Sequence, residues 1–180
     1  QPPCLRPKTR NGATMPLLKT FSQTVDAHNL IDNGQRLLVA LSGGTDSVCL
    51  LHLLKRLAPR RQWQLLAVHI NHRIRPGSAD RDQAFCETLC SGWGLSLIVE
   101  TYDIPALART GKTGLEQTAR DIRYRTLEHL AQTEGCERIV LGHHADDQAE
   151  TILFRIIRGT GIDGLAGIPI RRGKIVRPLL

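Results

Sequence analysis

Aromatic residues are scarce in this chain: three Phe, two Tyr and two Trp make up 4% of its 180 residues. A hydrophobic core must therefore be built from Leu, Ile, Val and Ala. No apolar run approaches the roughly 18 residues that a membrane-spanning helix requires. Hydrophobic residues at 41% and charged residues at 23% are typical of a globular domain in water. Composition and length together predict one globular domain.

The five cysteines are odd in number and form no CxxC pair, which argues against a disulfide framework and a zinc ribbon. Cys86 and Cys90 are four residues apart, so a helix would bring them onto one face. They are either half of a metal site or two small buried side chains. The second interpretation is favoured, because free cysteine usually behaves as a small hydrophobe. This cysteine usage predicts a reducing compartment and hence a cytoplasmic location.

Basic residues outnumber acidic residues by 24 to 17, which gives a net charge of +7. This balance favours a polyanionic partner such as a nucleotide or a nucleic acid. The alternative is a basic domain that binds no anion. The sequence has no stripe of aromatic residues suited to base stacking, so the domain would contribute charge to a nucleic-acid complex rather than sequence recognition.

The first 14 residues, QPPCLRPKTRNGAT, contain three of the nine prolines and no apolar periodicity. They predict a disordered leader or an expression remnant. Met15 is the single methionine and begins an apolar-patterned segment, so our hypothesis is that it is the native start. We therefore predict one catalytic domain over residues 15–180. Its apolar end at 177–180 suggests a C-terminal truncation.

Short apolar runs alternate with amphipathic patterns along the rest of the chain. The runs predict strands at 37–41, 64–70, 95–100 and 138–141. Helices are predicted after the first strand and at 17–30, 78–92, 116–134 and 145–157. This alternation indicates an α/β fold with a doubly wound, mostly parallel, Rossmann-like sheet and helices on both faces. In such folds ligands bind at the carboxyl ends of the strands.

A glycine turn joins the first predicted strand to the next helix, with the residues Ser42, Gly43, Gly44, Thr45, Asp46 and Ser47. A helix N-terminus offers free N–H groups and a partial positive charge, which suit a phosphate. The glycines let a phosphate approach the backbone, and the three hydroxyl groups add donors. Asp46 would repel the phosphate unless Mg²⁺ bridges the two. The alternative is an ordinary helix capped by Ser or Asp.

This turn is neither a Walker A loop, GxxxxGK[ST], nor the dinucleotide fingerprint GxGxxG. SGGTDS instead resembles the signature of the pyrophosphatase-loop family, also called N-type ATP pyrophosphatases. The resemblance implies a fold of the adenine nucleotide α-hydrolase type, with ATP cleaved between its α and β phosphates. Such enzymes adenylate a carbonyl-like oxygen and then displace AMP with a nucleophile.

A second polar cluster, GHHADDQAET at 142–151, follows the strand predicted at 138–141. Acidic residues in a first helical turn complement the helix dipole by about 0.3–1 kcal/mol each, which is one interpretation. Two histidines and two aspartates exceed what a cap needs, and clustered His and Asp at a strand end are candidate ligands or acid–base groups. We therefore predict that a carboxylate of this cluster faces the glycine turn across the cleft.

Three longer segments narrow the resemblance. They are GHHADDQAETILFRIIRGTGIDGLAGIP with the following IVRPLL, HINHRIR at 69–75, and EQTARDIRY at 116–124. With the glycine turn, they resemble the motifs of the tRNA(Ile)-lysidine synthetase family over residues 37–180. Ile74 stands where that family usually has Leu. The family's further C-terminal active-site stretch and tRNA-binding domains are not in this sequence, which predicts that this chain by itself binds nucleotide but modifies RNA poorly.

The resemblance implies a specific reaction. ATP, with Mg²⁺, adenylates the C2 oxygen of the wobble cytidine in an isoleucine tRNA. The ε-amine of free L-lysine then attacks C2, which releases AMP and leaves lysidine. The partners implied are therefore tRNA and lysine. The sequence leaves the oligomeric state open, with a homodimer among the alternatives.

The resemblance also implies which residues hold the nucleotide and the metal. Ser42 to Ser47 would hold the phosphates. Asp46 and Asp147 would bind Mg²⁺, and Asp146 is a further candidate.

Other residues would act on the reacting groups. His143 would contact the phosphates or the adenylated base. Arg120 and Arg123 lie three apart on one helical face, so both could meet the charge that develops during adenylation; the alternative is a solvated basic face. Arg177 is a weaker candidate for the same role. Glu150 is our candidate for pairing with an amine of the lysine substrate.

Other functions stay open at this point. A tRNA thiolase of the same fold also adenylates a base, but such enzymes often have a CxxC pair and a Lys at the position of Thr45. Amidotransferase synthetases for GMP or NAD share the phosphate loop but not GHHADDQAET. A nucleotide-binding module without catalysis is a third alternative. It is disfavoured because simple binding needs no second metal ligand, whereas Asp46 and Asp147 provide two.

Overall fold

The computed structural model describes residues 16–74, 77–159 and 166–180. The predicted leader at 1–14 and the hypothetical start at Met15 lie outside the described residues. So do Arg75, from the segment at 69–75, and residues 160–165, from the segment that follows the second polar cluster.

Six helices and six strands are found in the described residues. The helices are α1 (Pro16–Ala27), α2 (Thr45–Arg61), α3 (Ser78–Trp93), α4 (Ile104–Gly111), α5 (Leu115–Thr133) and α6 (Ala145–Ile157). The strands are β1 (Arg36–Ala40), β2 (Gln64–Asn71), β3 (Ser96–Thr101), β4 (Arg138–Val140), β5 (Arg171–Arg172) and β6 (Ile175–Val176). Every strand and helix predicted from the apolar pattern is present, with boundaries that differ by at most a few residues.

The strands form one sheet in the order β3-β2-β1-β4-β6-β5. All neighbouring strands are parallel except β5, which is antiparallel to β6. The chain builds outward from β1 in one direction through β2 and β3, and then continues on the other side of β1 with β4. This reversal is the topological switch point at which α/β folds bind ligands. The prediction of a doubly wound, mostly parallel sheet is confirmed.

Alternate residues of β1 belong to two different cores. Leu37 and Val39 pack with side chains of α1, α2 and α3 on one face of the sheet. Leu38, between them, packs with side chains of α5 on the other face. A strand buried on both faces reads as a continuous apolar run rather than an alternating one, which explains the sequence LLVAL. The helices thus cover both faces, as predicted.

Two elements were not predicted from the sequence. The first is α4, which begins after Asp103; the side chain of Asp103 accepts a hydrogen bond of 2.9 Å from the Ala106 N–H, and Pro105 occupies the first turn. The second is the hairpin of β5 and β6, in which each strand has only two residues. Neither element is long enough to show a reliable period of apolar residues.

The last helix, α6, contains no buried residue. It exposes Leu153, Phe154, Ile156 and Ile157, each with more than half of its surface accessible. This apolar surface is not a membrane span, because α6 has only 13 residues. In the part of the chain that the structure describes, no helix is both long and apolar enough to cross a bilayer.

We expect the free energy of unfolding to depend strongly on β1, because this strand contributes side chains to both cores. Leu38 is 0% exposed, so Leu38→Ala should lower the free energy of unfolding by about 2–5 kcal/mol, through lost burial and the cavity left behind. The matched control is Leu153→Ala on α6, where the side chain is 58% exposed; it should change stability by no more than about 0.5 kcal/mol. Urea unfolding followed by circular dichroism measures both. Equal losses would contradict the assigned core.

Candidate active site

An open cleft of about 590 Å³ lies at the carboxyl ends of β1, β2 and β4. Seven of the candidate residues line it, namely Ser42, Gly44, Asp46, Ser47, Arg123, His143 and Asp147. The candidates Gly43, Thr45 and Arg120 are outside this lining. The predicted convergence of the glycine turn and the second polar cluster on one cleft is therefore observed.

The glycine turn presents an uncapped helix N-terminus to the cleft. Gly43 has φ +90°, a conformation that side chains rarely adopt. Gly44 is the N-cap of α2, and no side chain caps it by a hydrogen bond. The alternative interpretation, an ordinary helix capped by Ser or Asp, is thus not what is found. The first N–H groups of α2 stay available for an anion.

The serine hydroxyl groups of the turn bond within the turn itself. Ser47 donates to the Gly44 carbonyl at 2.8 Å, and Ser42 donates to the Ser47 hydroxyl at 3.1 Å. The Ser42 oxygen also accepts from the Gly44 N–H at 3.3 Å. We expected these hydroxyls to be donors to a ligand. In this structure they shape the loop, which leaves the backbone N–H groups as its principal anion donors.

A buried histidine fixes the start of this loop. His69 on β2 donates from Nδ1 to the Leu41 carbonyl at 2.9 Å. Cys86 Sγ lies 3.4 Å from the same nitrogen and would be 3.5 Å from a Cβ at Gly43. Burial raises the pKa of the Cys86 thiol to about 12, with Cys90 adding to the shift. Both cysteines are buried in the core, in agreement with the favoured interpretation.

The second polar cluster forms the acidic side of the cleft. His144 Nδ1 accepts from the Asp146 N–H at 3.2 Å, so the proton of the neutral imidazole is on Nε2. That atom is 3.5 Å from Asp46 Oδ2 and 3.6 Å from Asp147 Oδ2. One imidazole therefore faces both predicted metal-binding carboxylates. Asp146 is different, because its side chain is 90% exposed and does not line the cleft.

Asp147 also caps its own helix. Its Oδ2 accepts from the His144 N–H at 2.8 Å, which completes a capping box at the start of α6. The two interpretations of this cluster thus apply together, since one carboxylate both caps α6 and faces the cleft. In the described ranges no group of three or more His, Cys, Asp or Glu side chains is arranged to hold a metal. The protein offers two carboxylates here.

The part of the cleft around His143, next to the acidic side, is cationic. His143 has a buried Nδ1 without a hydrogen-bond partner among the described residues. Burial lowers the pKa of His143, and the positive charges of Arg177, Arg123 and Arg120 lower it further, against the effect of Asp147. The imidazole is therefore neutral at neutral pH. Three guanidinium groups act on this corner of the cleft, which we call the His143 corner.

The two arginines predicted on one face of α5 differ in position. Arg123 lines the cleft. Arg120 does not, and its guanidinium lies 5.3 Å from the centre of the Tyr124 ring. Both still act electrostatically on His143. Glu150, the candidate for the lysine amine, is exposed and is outside the cleft lining.

His72 is a second neutral imidazole in the cleft. Burial lowers the pKa of His72 to about 4, and the charge of Arg123 adds to the shift. Its Nδ1 is also buried without a partner in the described part of the chain. The surroundings of His72 thus disfavour a cation, whereas the pair Asp46 and Asp147 favours one.

Sequence reasoning missed the role of Asn71 at the end of β2. Its side-chain amide donates to Gln83 Oε1 at 3.0 Å and to Asp80 Oδ1 at 3.3 Å, while its Oδ1 accepts from the Arg73 N–H at 3.0 Å. These bonds join β2 to the first turns of α3 at the wall of the cleft. The available signal was its position, directly after a buried strand, as for the other two polar clusters.

The two central loops lie close together at Gly142. A Cβ at Gly142 would lie 3.4 Å from backbone atoms of both Asp46 and Ser47. The glycine therefore lets the loop after β4 lie directly against the start of α2. This contact brings the acidic side of the cleft next to the uncapped helix N-terminus.

The chain is similar in sequence to tRNA(Ile)-lysidine synthases. That of Clostridium perfringens is 41% identical over 157 residues, a match that covers 87% of this chain and 34% of that protein. That of Chlorobaculum tepidum is 39% identical over 162 residues, a match that covers 90% of this chain and 49% of that protein. The chain thus spans between about a third and a half of the length of these relatives. The resemblance inferred from the motifs is confirmed.

Comparison with solved structures shows the fold, and comparison with family models shows the wider family. A U34-tRNA thiolase from Methanococcus maripaludis, solved with its 4Fe-4S cluster, superposes with a TM-score of 0.73 at 20% identity, covering 91% of this chain and 58% of that one. At that identity the likeness concerns the fold alone. A family model described as the PP-loop domain matches residues 16–180. This chain therefore belongs to the PP-loop domain family.

Proposed function

We propose that this chain is the ATP-binding, adenylating part of a tRNA(Ile)-lysidine synthase. The observation that carries the proposal is that the uncapped N-terminus of α2, with Asp46 in its first turn, and Asp147 in the first turn of α6 line one cleft. Relatives of that name, about 40% identical over most of this chain, support the choice of reaction. The proposal includes the cytoplasmic location that the cysteine usage predicts. It leaves the number of subunits open, with a homodimer among the alternatives.

The glycine turn would bind the phosphates of ATP. The start of α2 has no side-chain cap and lines the cleft, so its N–H groups would bind phosphate oxygens, and Gly43 and Gly44 leave the backbone approachable. Asp46 and Asp147 suit Mg²⁺, which is usually bound by one or two carboxylates together with substrate phosphates and waters. The ion would neutralise phosphate charge next to the two carboxylates.

Adenylation would take place between the acidic and cationic sides. The C2 oxygen of the wobble cytidine attacks the α phosphorus, the bond to the β phosphate breaks, and pyrophosphate leaves. Negative charge grows on the phosphoryl oxygens in this step, and preorganised positive groups stabilise it most effectively in a cleft that excludes water. Arg123, with Arg120 behind it, would supply that charge beside His143.

Transfer of lysine needs a neutral amine. Free lysine is mostly protonated at neutral pH, since its side-chain pKa is about 10.4. The desolvation that lowers the pKa of His72 to about 4 would also disfavour an ammonium group in that part of the cleft. The neutral ε-amine would then attack C2 of the adenylated base and displace AMP. Glu150 would pair with the other amine only if the exposed start of α6 also contacts the amino acid.

A tRNA thiolase is the nearest alternative. Sulfur delivery often uses cysteines at the active site, but Cys49, Cys86, Cys90 and Cys136 are all outside the cleft lining, and three of them are buried. This observation favours the amine of lysine over sulfur as the nucleophile.

The reaction can be tested with the full-length protein by measuring pyrophosphate release from ATP and Mg²⁺ with bulk tRNA and each amino acid in turn. We expect release to require tRNA, and radiolabelled lysine alone among the amino acids to enter the RNA. Release that requires tRNA but ignores lysine would leave the fold in place and overturn the lysine part of the proposal. A protein that binds ATP but never releases pyrophosphate would be a binding module.

The phosphate loop can be tested with two glycine variants that carry the same backbone strain. Gly43→Ala places a side chain at φ +90° in the phosphate loop, against Asp82 and Cys86, and Gly34→Ala does so at φ +81° with no atom within 4 Å. Each should lose about 1–2 kcal/mol of stability. Only Gly43→Ala should also weaken ATP binding, by about tenfold or more, in isothermal titration. Equal ATP affinities would show that the loop does not bind the nucleotide.

The two carboxylates proposed to bind Mg²⁺ can be compared with Asp146, a neighbouring carboxylate outside the cleft lining. Asp46→Ala and Asp147→Asn should each lower pyrophosphate release by about 10²-fold or more, the loss typical for one group that stabilises transition-state charge. Asparagine keeps an oxygen that can cap α6, so Asp147→Asn should preserve stability. Asp146→Ala is the control, since that side chain is 90% exposed. Near-normal turnover of Asp46→Ala would refute the role in Mg²⁺ binding.

A further inference from the structure

Arg177 is buried directly after β6. It is 2% exposed. Its Nη1 donates to the Pro169 carbonyl at 2.7 Å, and its Nη2 donates to the Tyr124 hydroxyl at 3.4 Å. Its Nε is buried and has no partner among the described residues. The side chain is thus held in place while its hydrogen-bonding capacity stays partly unused.

No carboxylate neutralises this guanidinium within the described ranges. The ion pairs found there involve Arg36, Arg61, Arg138 and His144, and the groups that Arg177 contacts are a carbonyl and a phenol. Buried charges are costly and are normally paired. With respect to the described residues, this buried guanidinium therefore carries a positive charge that another group can use.

The charge of Arg177 acts on the His143 corner. The Leu141 N–H donates to the Val176 carbonyl at 3.0 Å, and His144 forms a parallel bridge with Leu179. Arg177 therefore runs beside the start of the loop that carries His143. Burial lowers the pKa of that imidazole, and the charge of Arg177 lowers it further. Strand order explains this influence, because β6 pairs directly with β4 and His143 follows β4. Arg177 reaches the corner from behind the cleft wall, whereas Arg123 lines the cleft itself.

We propose that Arg177 is a positioning residue whose buried guanidinium sets a positive potential at the His143 corner and so favours the nucleotide phosphates there. It touches no substrate atom and acts through the field at the cleft wall. The bonds to Pro169 and Tyr124 keep the charge at one distance, so no reorganisation is needed when the anion binds. This inference rests on the proposed function only in taking ATP as the ligand.

Three variants and two ligands test the proposal by isothermal titration. Arg177→Gln removes the charge but keeps a group that can donate to Pro169, Arg177→Lys keeps the charge, and Arg125→Gln removes an exposed arginine of α5 as a control for net charge. ATP with Mg²⁺ carries the phosphates, and adenosine does not. We expect Arg177→Gln to weaken ATP binding about tenfold or more and to leave adenosine binding within about twofold, a difference that is small on this scale.

Arg177→Lys should keep ATP affinity within about threefold, and Arg125→Gln should match the unsubstituted protein, since exposed charges are screened. Equal losses for ATP and adenosine in Arg177→Gln would show a merely structural role and overturn the proposal. So would a loss in Arg177→Lys as large as that in Arg177→Gln. If thermal unfolding shows that Arg177→Gln does not fold, Arg177→Met, which also removes the charge, takes its place with the same two ligands and the same expected and contradicting results.

These measurements separate this proposal from the proposed function. Neither tRNA nor lysine is present, so a failure to form lysidine would leave the result on Arg177 intact. Conversely, lysidine formation with unchanged ATP affinity in Arg177→Gln would overturn the role of Arg177 alone. If the unsubstituted protein bound no ATP, both proposals would fail.

Discussion

The parallel pairing of β1 with β4 is the contact on which every feature of the site depends. Leu37, Leu38 and Val39 pair with Arg138, Ile139 and Val140, so the loops that follow the two strands emerge side by side. One loop supplies the uncapped helix N-terminus and Asp46, and the other supplies His143, His144 and Asp147. Because β1 is buried on both faces, any shift in this pairing would expose apolar side chains. Core packing thus fixes the geometry of the cleft.

The cleft separates charge along the edge of the sheet. Carboxylates gather between β1 and β4, and guanidinium groups gather from α5 and the end of β6 around His143. Each group of like charges is unfavourable by itself in a partly desolvated cleft. A ligand that carries phosphates and a divalent cation would relieve both sides together. The arrangement therefore exchanges stability of the empty protein for affinity, as is common at functional sites.

Much of this organisation could be predicted from the sequence, and the remainder could not for identifiable reasons. Strand β1 could be predicted because it is a continuous apolar run, and helix α6 because it begins with a recognisable motif. The glycine turn and GHHADDQAET predicted the two loops of the cleft because each follows a buried strand. By contrast, the short hairpin of β5 and β6 has no period to detect. Its place beside β4, and hence the influence of Arg177 on His143, depends on tertiary packing that no local pattern encodes.

The same limit applied to individual side chains within the motifs. Residue type suggested that Ser42 and Ser47 donate to a ligand, but their hydroxyls close hydrogen bonds inside the turn. His144 was one of two neighbouring histidines, and only the orientation of its ring shows that it faces both carboxylates.

The close approach at Gly142 has a consequence for how this site can change during evolution. At Gly142 no side chain stands between the loop after β4 and the start of α2, and an added Cβ would already be in contact with both Asp46 and Ser47. A substitution that moves one loop should therefore move the other, so the energetic effects of changes on the two sides should not add independently. We expect the two motifs, although separate in sequence, to diversify together.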